Sequence, residues 1–81
     1  MFYLYLEKSY KKFEKKDDAI REFRRQFERR EKNNFMITLK LEDELIAKYS
    51  PGLEGGMVEF GANRELADEV MCALIRSHEA N

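Results

Sequence analysis

The sequence predicts an α+β fold in which a small antiparallel sheet of three or four strands packs against two helices, in the approximate order β-α-β-(β)-β-α. Apolar residues alternate with other residues along residues 2–6 and 35–41, as they do in β-strands. Along residues 17–32 and 64–78 they recur at the spacing of amphipathic helices. A chain of 81 residues is expected to form one domain, residues 1–81.

The composition favours a folded protein in an aqueous compartment. Hydrophobic residues make up 43% of the chain, which is enough for a small core although 38% of the residues are charged. No apolar run approaches the roughly 20 residues of a membrane span. The first residues lack the charge order of a secretion signal. We therefore expect a cytoplasmic protein that makes no membrane contact.

The first predicted strand, residues 2–6, is bulky on both faces because its apolar residues alternate with Tyr3 and Tyr5. Such a strand is either central in a sheet or presents its tyrosines to a partner. Residues 8–16 fit an extended connection, a short second strand or part of a longer helix. The longer helix is an alternative because apolar residues with coiled-coil spacing continue from the first strand into the next element.

The clearest element is the helix predicted for residues 17–32. Asp17 and Asp18 favour its N-terminus and are candidates to cap it. Asn33 and Asn34 favour a left-handed turn after its last residue. One face of the helix is apolar and carries two phenylalanines, whereas the opposite face is basic.

The second half of the chain contains three further elements, which are a half-buried strand at 35–41, a short strand at 57–60 and a helix at 64–78. Asn63 is the expected N-cap of that helix. Residues 42–50 are either a turn and a strand, with 45–49 as the optional fourth strand, or a short helix. Proline and glycine predict a mobile loop over 51–56. The last helix is apolar over a wide arc, so the sequence is also compatible with a homodimer.

Charge is divided unevenly along the chain, although the formal net charge is only −1. Residues 8–32 carry eleven basic and six acidic side chains, whereas residues 33–81 carry four basic and nine acidic ones. A chain divided in this way can present a positive surface to nucleic acid or to an acidic protein.

The candidate binding residues are the basic face of the first helix, two lysines before it and two tyrosines of the first strand. They are Arg21, Arg25, Arg29, Lys32, Lys11, Lys12, Tyr3 and Tyr5. The cations can contact phosphates or an acidic protein. The tyrosines can stack on bases if they share the surface of the cations.

No pattern predicts catalysis, a metal site or a cofactor. Acidic neighbours disfavour a reactive thiolate at Cys72, which is the only cysteine. His78 is the only histidine and has no catalytic context. The acidic turn at 42–44 does not match a calcium-binding loop, and the glycine-rich stretch after Pro51 lacks the lysine of a phosphate loop. We therefore expect that the protein is not an enzyme.

The stretch ITLKLEDELIAKY, followed by FGANRELADEVMCALIRS, resembles the strand, helix, turn and helix of ribbon-helix-helix repressors. The resemblance covers about half of the chain. It implies a DNA-binding dimer in which Thr38 and Lys40 contact bases in the major groove.

By elimination, we expect the protein to be a non-catalytic binding module. We expect an adaptor, inhibitor or regulatory protein, of the size that phage and plasmid genomes commonly encode, that acts through charged protein–protein contacts. A nucleic-acid-binding protein that uses the basic face of helix 17–32 is the main alternative. A divergent dimer like the ribbon-helix-helix repressors is a further one.

Overall fold

The computed structural model describes residues 1–52 and 56–79. These residues form the following elements: β1 (Phe2–Tyr5), β2 (Tyr10–Phe13), α1 (Lys16–Glu28), β3 (Ile37–Leu41), β4 (Glu44–Ser50), β5 (Met57–Phe60) and α2 (Arg64–Glu79). All paired strands are antiparallel, and their order across the sheet is β2-β1-β3-β4-β5. The α+β class is confirmed, but the predicted strand count was too low. Residues 53–55 of the loop predicted over 51–56 lie outside the described residues.

Strands form in two segments for which the sequence allowed either a strand or a helix. Residues 10–13 pair with β1, with Tyr10 opposite Tyr5 and Phe13 opposite Phe2. Residues 44–50 form β4, which pairs with β3 on one side and with β5 on the other. β4 stands where the ribbon-helix-helix resemblance implies a helix, so that arrangement is wrong for this chain. Pairing on both sides satisfies the backbone of β4, and this long-range contribution is absent from local propensity.

A β-bulge explains why residues 45–47 lack a simple alternating pattern. Leu39 pairs with Ala47 and Lys40 pairs with Leu45, so that Ile46 is the extra residue of β4. Ile46 and Ala47 are consequently both buried although they are adjacent in the chain. The tight turn before β4 requires a positive φ of 52° at Glu42, a conformation that is uncommon for residues other than glycine.

Both helices lie on one face of the sheet and enclose the core against it. α1 contacts β1, β2 and β3, α2 contacts β4, and the two helices contact each other. Phe23 of α1 and Val70 of α2 are fully buried, as are Leu4 and Leu39 of the sheet. The predicted apolar face of the first helix therefore faces the core. Within the described residues, no helix has the length and apolar character needed to cross a membrane.

α1 is shorter than the predicted helix 17–32 and begins without a side-chain cap. Its N-cap is Lys15, which makes no side-chain capping bond, so the expected capping by Asp17 or Asp18 was wrong. Both acids instead lie in the first turn, where the helix dipole favours negative charge. Residues 8–16 do not extend this helix into a coiled coil, because β2 occupies residues 10–13.

Just after Arg29, which is the C-cap of α1, Arg30 packs against Phe27. Its Nη1 donates a hydrogen bond to the carbonyl oxygen of Phe27 at 2.9 Å, and its guanidinium lies 4.0 Å from the centroid of the Phe27 ring. The backbone N–H of Arg30 donates to the same carbonyl at 3.1 Å, which replaces the α-helical pattern with a tighter turn. The chain continues after α1 in turns that extend to Lys32. Neither Asn33 nor Asn34 has a positive φ, so the predicted left-handed ending was wrong.

α2 begins as the sequence predicts. Asn63 Oδ1 accepts a hydrogen bond from the backbone N–H of Leu66 at 3.2 Å, which confirms Asn63 as the N-cap. Just before it, Gly61 passes very close to β4 and donates a backbone hydrogen bond to Ile46 at 2.9 Å. A Cβ atom at Gly61 would lie 1.7 Å from the carbonyl oxygen of Leu45, so only glycine fits there.

Candidate binding surface

The face of the sheet opposite the helices is open and carries polar and aromatic side chains. Directly paired residues of antiparallel strands point to the same side of a sheet, and consecutive residues point to opposite sides. Because Leu4 and Leu39 are buried beneath the helices, their strand neighbours Tyr3, Tyr5 and Lys40 point away from the helices. The registers define the open face as Tyr3, Tyr5, Tyr10, Lys12, Thr38, Lys40, Leu45, Lys48, Ser50, Met57 and Glu59.

Three tyrosine rings form a row on the open face. The ring centroids of Tyr3 and Tyr5 are 6.4 Å apart with an interplanar angle of 24°. Those of Tyr5 and Tyr10 are 5.8 Å apart with an angle of 31°. Tyr5 is 40% exposed and Tyr10 is 54% exposed. The row therefore offers a continuous aromatic surface of large, partly exposed rings, which are well suited to contact another molecule.

Two lysines flank this row. Lys12 Nζ lies 6.0 Å from the centroid of the Tyr10 ring, and Lys40 Nζ lies 5.8 Å from that of Tyr5. Neither lysine forms an ion pair with any other residue that the structure describes. An exposed cation–π contact contributes only about 0.5–1 kcal/mol, so both ammonium groups remain available to an anion. Lys48 lies opposite Glu59 in the register of β4 and β5, and the two form no ion pair.

Acids of the same helix pair with Arg21 and Arg25 of the basic face of α1, whereas Arg29 and Lys32 form no ion pair with the residues that the structure describes. Arg21 lies 3.5 Å from Asp18, and Arg24 lies 3.2 Å from Glu28. Arg25 lies 3.8 Å from Glu22, a distance that is still short enough for an ion pair. Exposed pairs of this kind contribute at most about 1 kcal/mol to stability. They do, however, reduce the positive potential that a phosphate would meet along the helix.

Lys11 lies on the helix side of the sheet, where it joins β2 to α1. Its Nζ donates to Glu22 Oε2 at 2.9 Å, and Gln26 Nε2 donates to the same oxygen at 2.9 Å. Burial alone would raise the pKa of Glu22. The hydrogen bonds from Gln26 and Lys11, together with the charges of Lys11 and Arg25, outweigh burial and lower that pKa. Lys11 therefore has a structural partner that the sequence did not reveal.

The residues predicted to bind together thus lie in different places. Tyr3, Tyr5 and Lys12 are on the open face, whereas Arg21 and Arg25 are on α1, beyond the opposite face of the sheet. Arg29 and Lys32 lie at the cap and in the turns that follow α1. The tyrosines therefore do not share a surface with the basic face of the helix.

Tyr10 and Lys40 also belong to the open face. The sequence offered Tyr10 as a further stacking residue, and it singled out Lys40 only through the resemblance to ribbon-helix-helix repressors. The alternation along residues 35–41 already places Lys40 on the opposite face of the strand from its apolar neighbours Leu39 and Leu41. Its position diagonal to Tyr5 becomes evident only when the register of β1 and β3 is known.

A shallow depression of about 470 Å³ adjoins the tyrosine row at Tyr5, the middle ring of the three. Its lining includes Tyr5, Leu6, Glu7, Asn34, Met36 and Thr38. The depression therefore combines apolar groups with a carboxylate, an amide and a hydroxyl. In the part of the chain that the structure describes, no three histidine, cysteine or acidic side chains come together to hold a metal ion.

Comparison of the chain with protein-family models, with curated proteins and with solved structures finds no match. The function of the open face therefore has to be inferred from its own residues. The open face combines stacking surfaces with uncompensated positive charge, and these two properties together are what single-stranded nucleic acids require of a binding surface.

Proposed function

We propose that the protein is a non-catalytic binding module that holds single-stranded nucleic acid on the open face of its sheet. The observation that supports this most strongly is the row of three tyrosine rings with Lys12 and Lys40 beside it. A base stacked on an aromatic side chain contributes roughly 1–3 kcal/mol to binding. Lysines beside such rings can contact the phosphates that join the bases.

The spacing of the rings favours an unpaired strand over a duplex. Neighbouring ring centroids are 5.8 and 6.4 Å apart, whereas stacked bases in a duplex strand are separated by only about 3.4 Å. Bases that lie on successive tyrosines therefore cannot remain stacked on one another. A duplex also buries the faces of its bases, so the rings could reach only its ends.

The charge of the open face favours binding with a modest salt dependence. Affinity for a single strand is expected to fall with salt with a slope of about −0.7 for each phosphate neutralised. With Lys12 and Lys40 as the main contacts, affinity should fall roughly sevenfold between about 50 and about 200 mM salt. If the arginines and lysines of α1 also contacted phosphates, the fall would be far steeper.

Fluorescence anisotropy tests this function. Labelled single-stranded DNA, single-stranded RNA and duplex DNA are titrated with the protein at about 50 and about 200 mM salt. We expect both single strands to bind more tightly than the duplex. The double variant Tyr5→Ala, Tyr10→Ala should lose most of the binding because it removes two stacking surfaces.

A matched double variant on the other side of the sheet is Arg21→Gln, Arg25→Gln, and it should bind like the original protein. Loss of binding in this control, with retention in the tyrosine variant, would transfer the site to α1. No binding of any nucleic acid at low salt would contradict the proposal. The charged protein–protein contacts predicted from the sequence would then be the better explanation of the exposed surface.

The homodimer that the sequence allows also stays a prediction. Met71 and Ile75 of α2 are exposed apolar residues, 41% and 50% accessible respectively, and they are where a contact between copies would be expected. Sedimentation equilibrium of the protein over a range of concentrations measures this association directly.

A further inference from the structure

We infer that the depression beside Tyr5 is a pocket for one nucleobase and that it selects guanine over thymine or uracil. This inference rests on the proposed binding of single-stranded nucleic acid. Tyr5 belongs both to the ring row and to the lining of the depression. A strand that passes over the rings of Tyr3 and then Tyr5 therefore has a continuous path by which its next base can leave the sheet and enter the depression.

The lining suits a flat aromatic ligand with a polar edge. Leu6 is half-buried and Met36 is 47% exposed, so together with Tyr5 they provide apolar contact for the faces of a base. Glu7 and Asn34 are exposed polar residues of the loops that border the depression. Pockets for small ligands commonly combine an apolar lining with a few polar groups that determine orientation and specificity.

Glu7 is the group that would discriminate among the bases. An ionised carboxylate is only a hydrogen-bond acceptor, and it can accept from two adjacent donors at once. Guanine presents two such donors, N1–H and the N2 amino group, along one edge. Thymine and uracil present a single N3–H between two carbonyl oxygens. The carboxylate would repel these two oxygens. Glu7 forms no ion pair with the other described residues, so its oxygens are available.

The test compares a short thymidine oligonucleotide with versions that carry one other base at its centre. We expect guanine to raise the affinity about tenfold, in line with the discrimination that a bidentate contact provides. Hypoxanthine at the same position retains N1–H and the size of the ring system but lacks the amino group. It should therefore give a clearly smaller gain than guanine, which separates edge recognition from stronger stacking of a purine.

The matched variants are Glu7→Gln and Glu14→Gln, since both remove one exposed carboxylate from a loop next to β2 and only Glu7 lines the depression. Glu7→Gln should abolish most of the gain that guanine gives over the thymidine oligonucleotide in the same variant, whereas Glu14→Gln should retain the gain. Binding of the thymidine oligonucleotide without any gain from guanine would overturn this inference alone. An unchanged gain in Glu7→Gln would also overturn it. Failure of every oligonucleotide to bind would overturn the proposed function together with the pocket.

Discussion

The ammonium group of Lys40 lies 5.8 Å from the ring centroid of Tyr5, although 34 positions separate the two residues in the chain. The register of β1 and β3 places Lys40 directly opposite Tyr3 and Tyr5 opposite Thr38, so that Lys40 and Tyr5 are diagonal neighbours on the open face. The relationship joins a cation from the acidic half of the chain to an aromatic ring from its first strand. It defines the centre of the surface that we propose binds nucleic acid.

Replacing Lys40 should weaken binding and make it less sensitive to salt. Lys40→Gln removes one phosphate contact, so the slope of log affinity against log salt should become less negative by about 0.7. Anisotropy titrations at several salt concentrations measure this slope. Lys32→Gln is the matched control because Lys32 is an exposed lysine in the turns after α1. An equal change of slope in both variants would contradict a site centred on Lys40.

Gly61→Ala should strongly destabilise the fold. The new Cβ would lie 1.7 Å from the carbonyl oxygen of Leu45. Because this obstacle is a backbone atom, β4 and the segment that follows β5 would have to move apart. We expect a loss of about 1–3 kcal/mol or more in the free energy of unfolding, measured by urea denaturation. Gly52→Ala is the control, because the nearest atom to its Cβ would be 4.0 Å away. Similar stabilities for the two variants would show that β4 and Gly61 are not as close as described.

Phe23→Ala should cost about 3–5 kcal/mol of unfolding free energy, since it removes a fully buried ring between α1 and the sheet. Tyr10→Ala removes a ring of similar size from the open face, where the side chain is 54% exposed, and should change stability by only about 0.5 kcal/mol. Urea denaturation of both variants checks this contrast. A large loss for Tyr10→Ala would indicate that another element covers the open face.

Acid should remove a stabilising contribution of Glu22. The pKa of Glu22 in the folded protein lies below its ordinary value of 4.5, which we take for the unfolded chain. Its contribution is therefore fully present above that value and is lost as the pH falls through the lower, folded pKa. Unfolding free energies measured from neutral pH down to about pH 3 should show a smaller acid-induced loss in Glu22→Gln than in the original protein.

Glu14→Gln is the matched control for this pH dependence, because Glu14 is exposed and forms no ion pair with the residues that the structure describes. It should retain the loss of stability in acid. If the two glutamine variants respond to acid in the same way, the contacts of Glu22 with Lys11 and Gln26 do not contribute as described.

Local sequence signals determined several elements of the candidate site and its support. Alternation placed Tyr3 and Tyr5 on one face of the first strand, and helical spacing placed Phe23 in the core. The side-chain acceptor of Asn63 predicted the start of α2. Each of these signals is contained within a few consecutive residues, because it depends on the geometry of one strand, one helix turn or one cap.

The tertiary structure alone decided which of these local faces meet. Strand pairing made residues 10–13 and 44–50 into strands, and the packing of α1 on the far side of the sheet separated Arg21 from Tyr5. Pairing register and helix placement depend on contacts between residues that are distant in the chain, and local periodicity contains no information about them. The sequence by itself therefore determined the faces of the individual elements. The tertiary structure decided that the aromatic face remained open and that Lys12 and Lys40, rather than the arginines of α1, lie beside it.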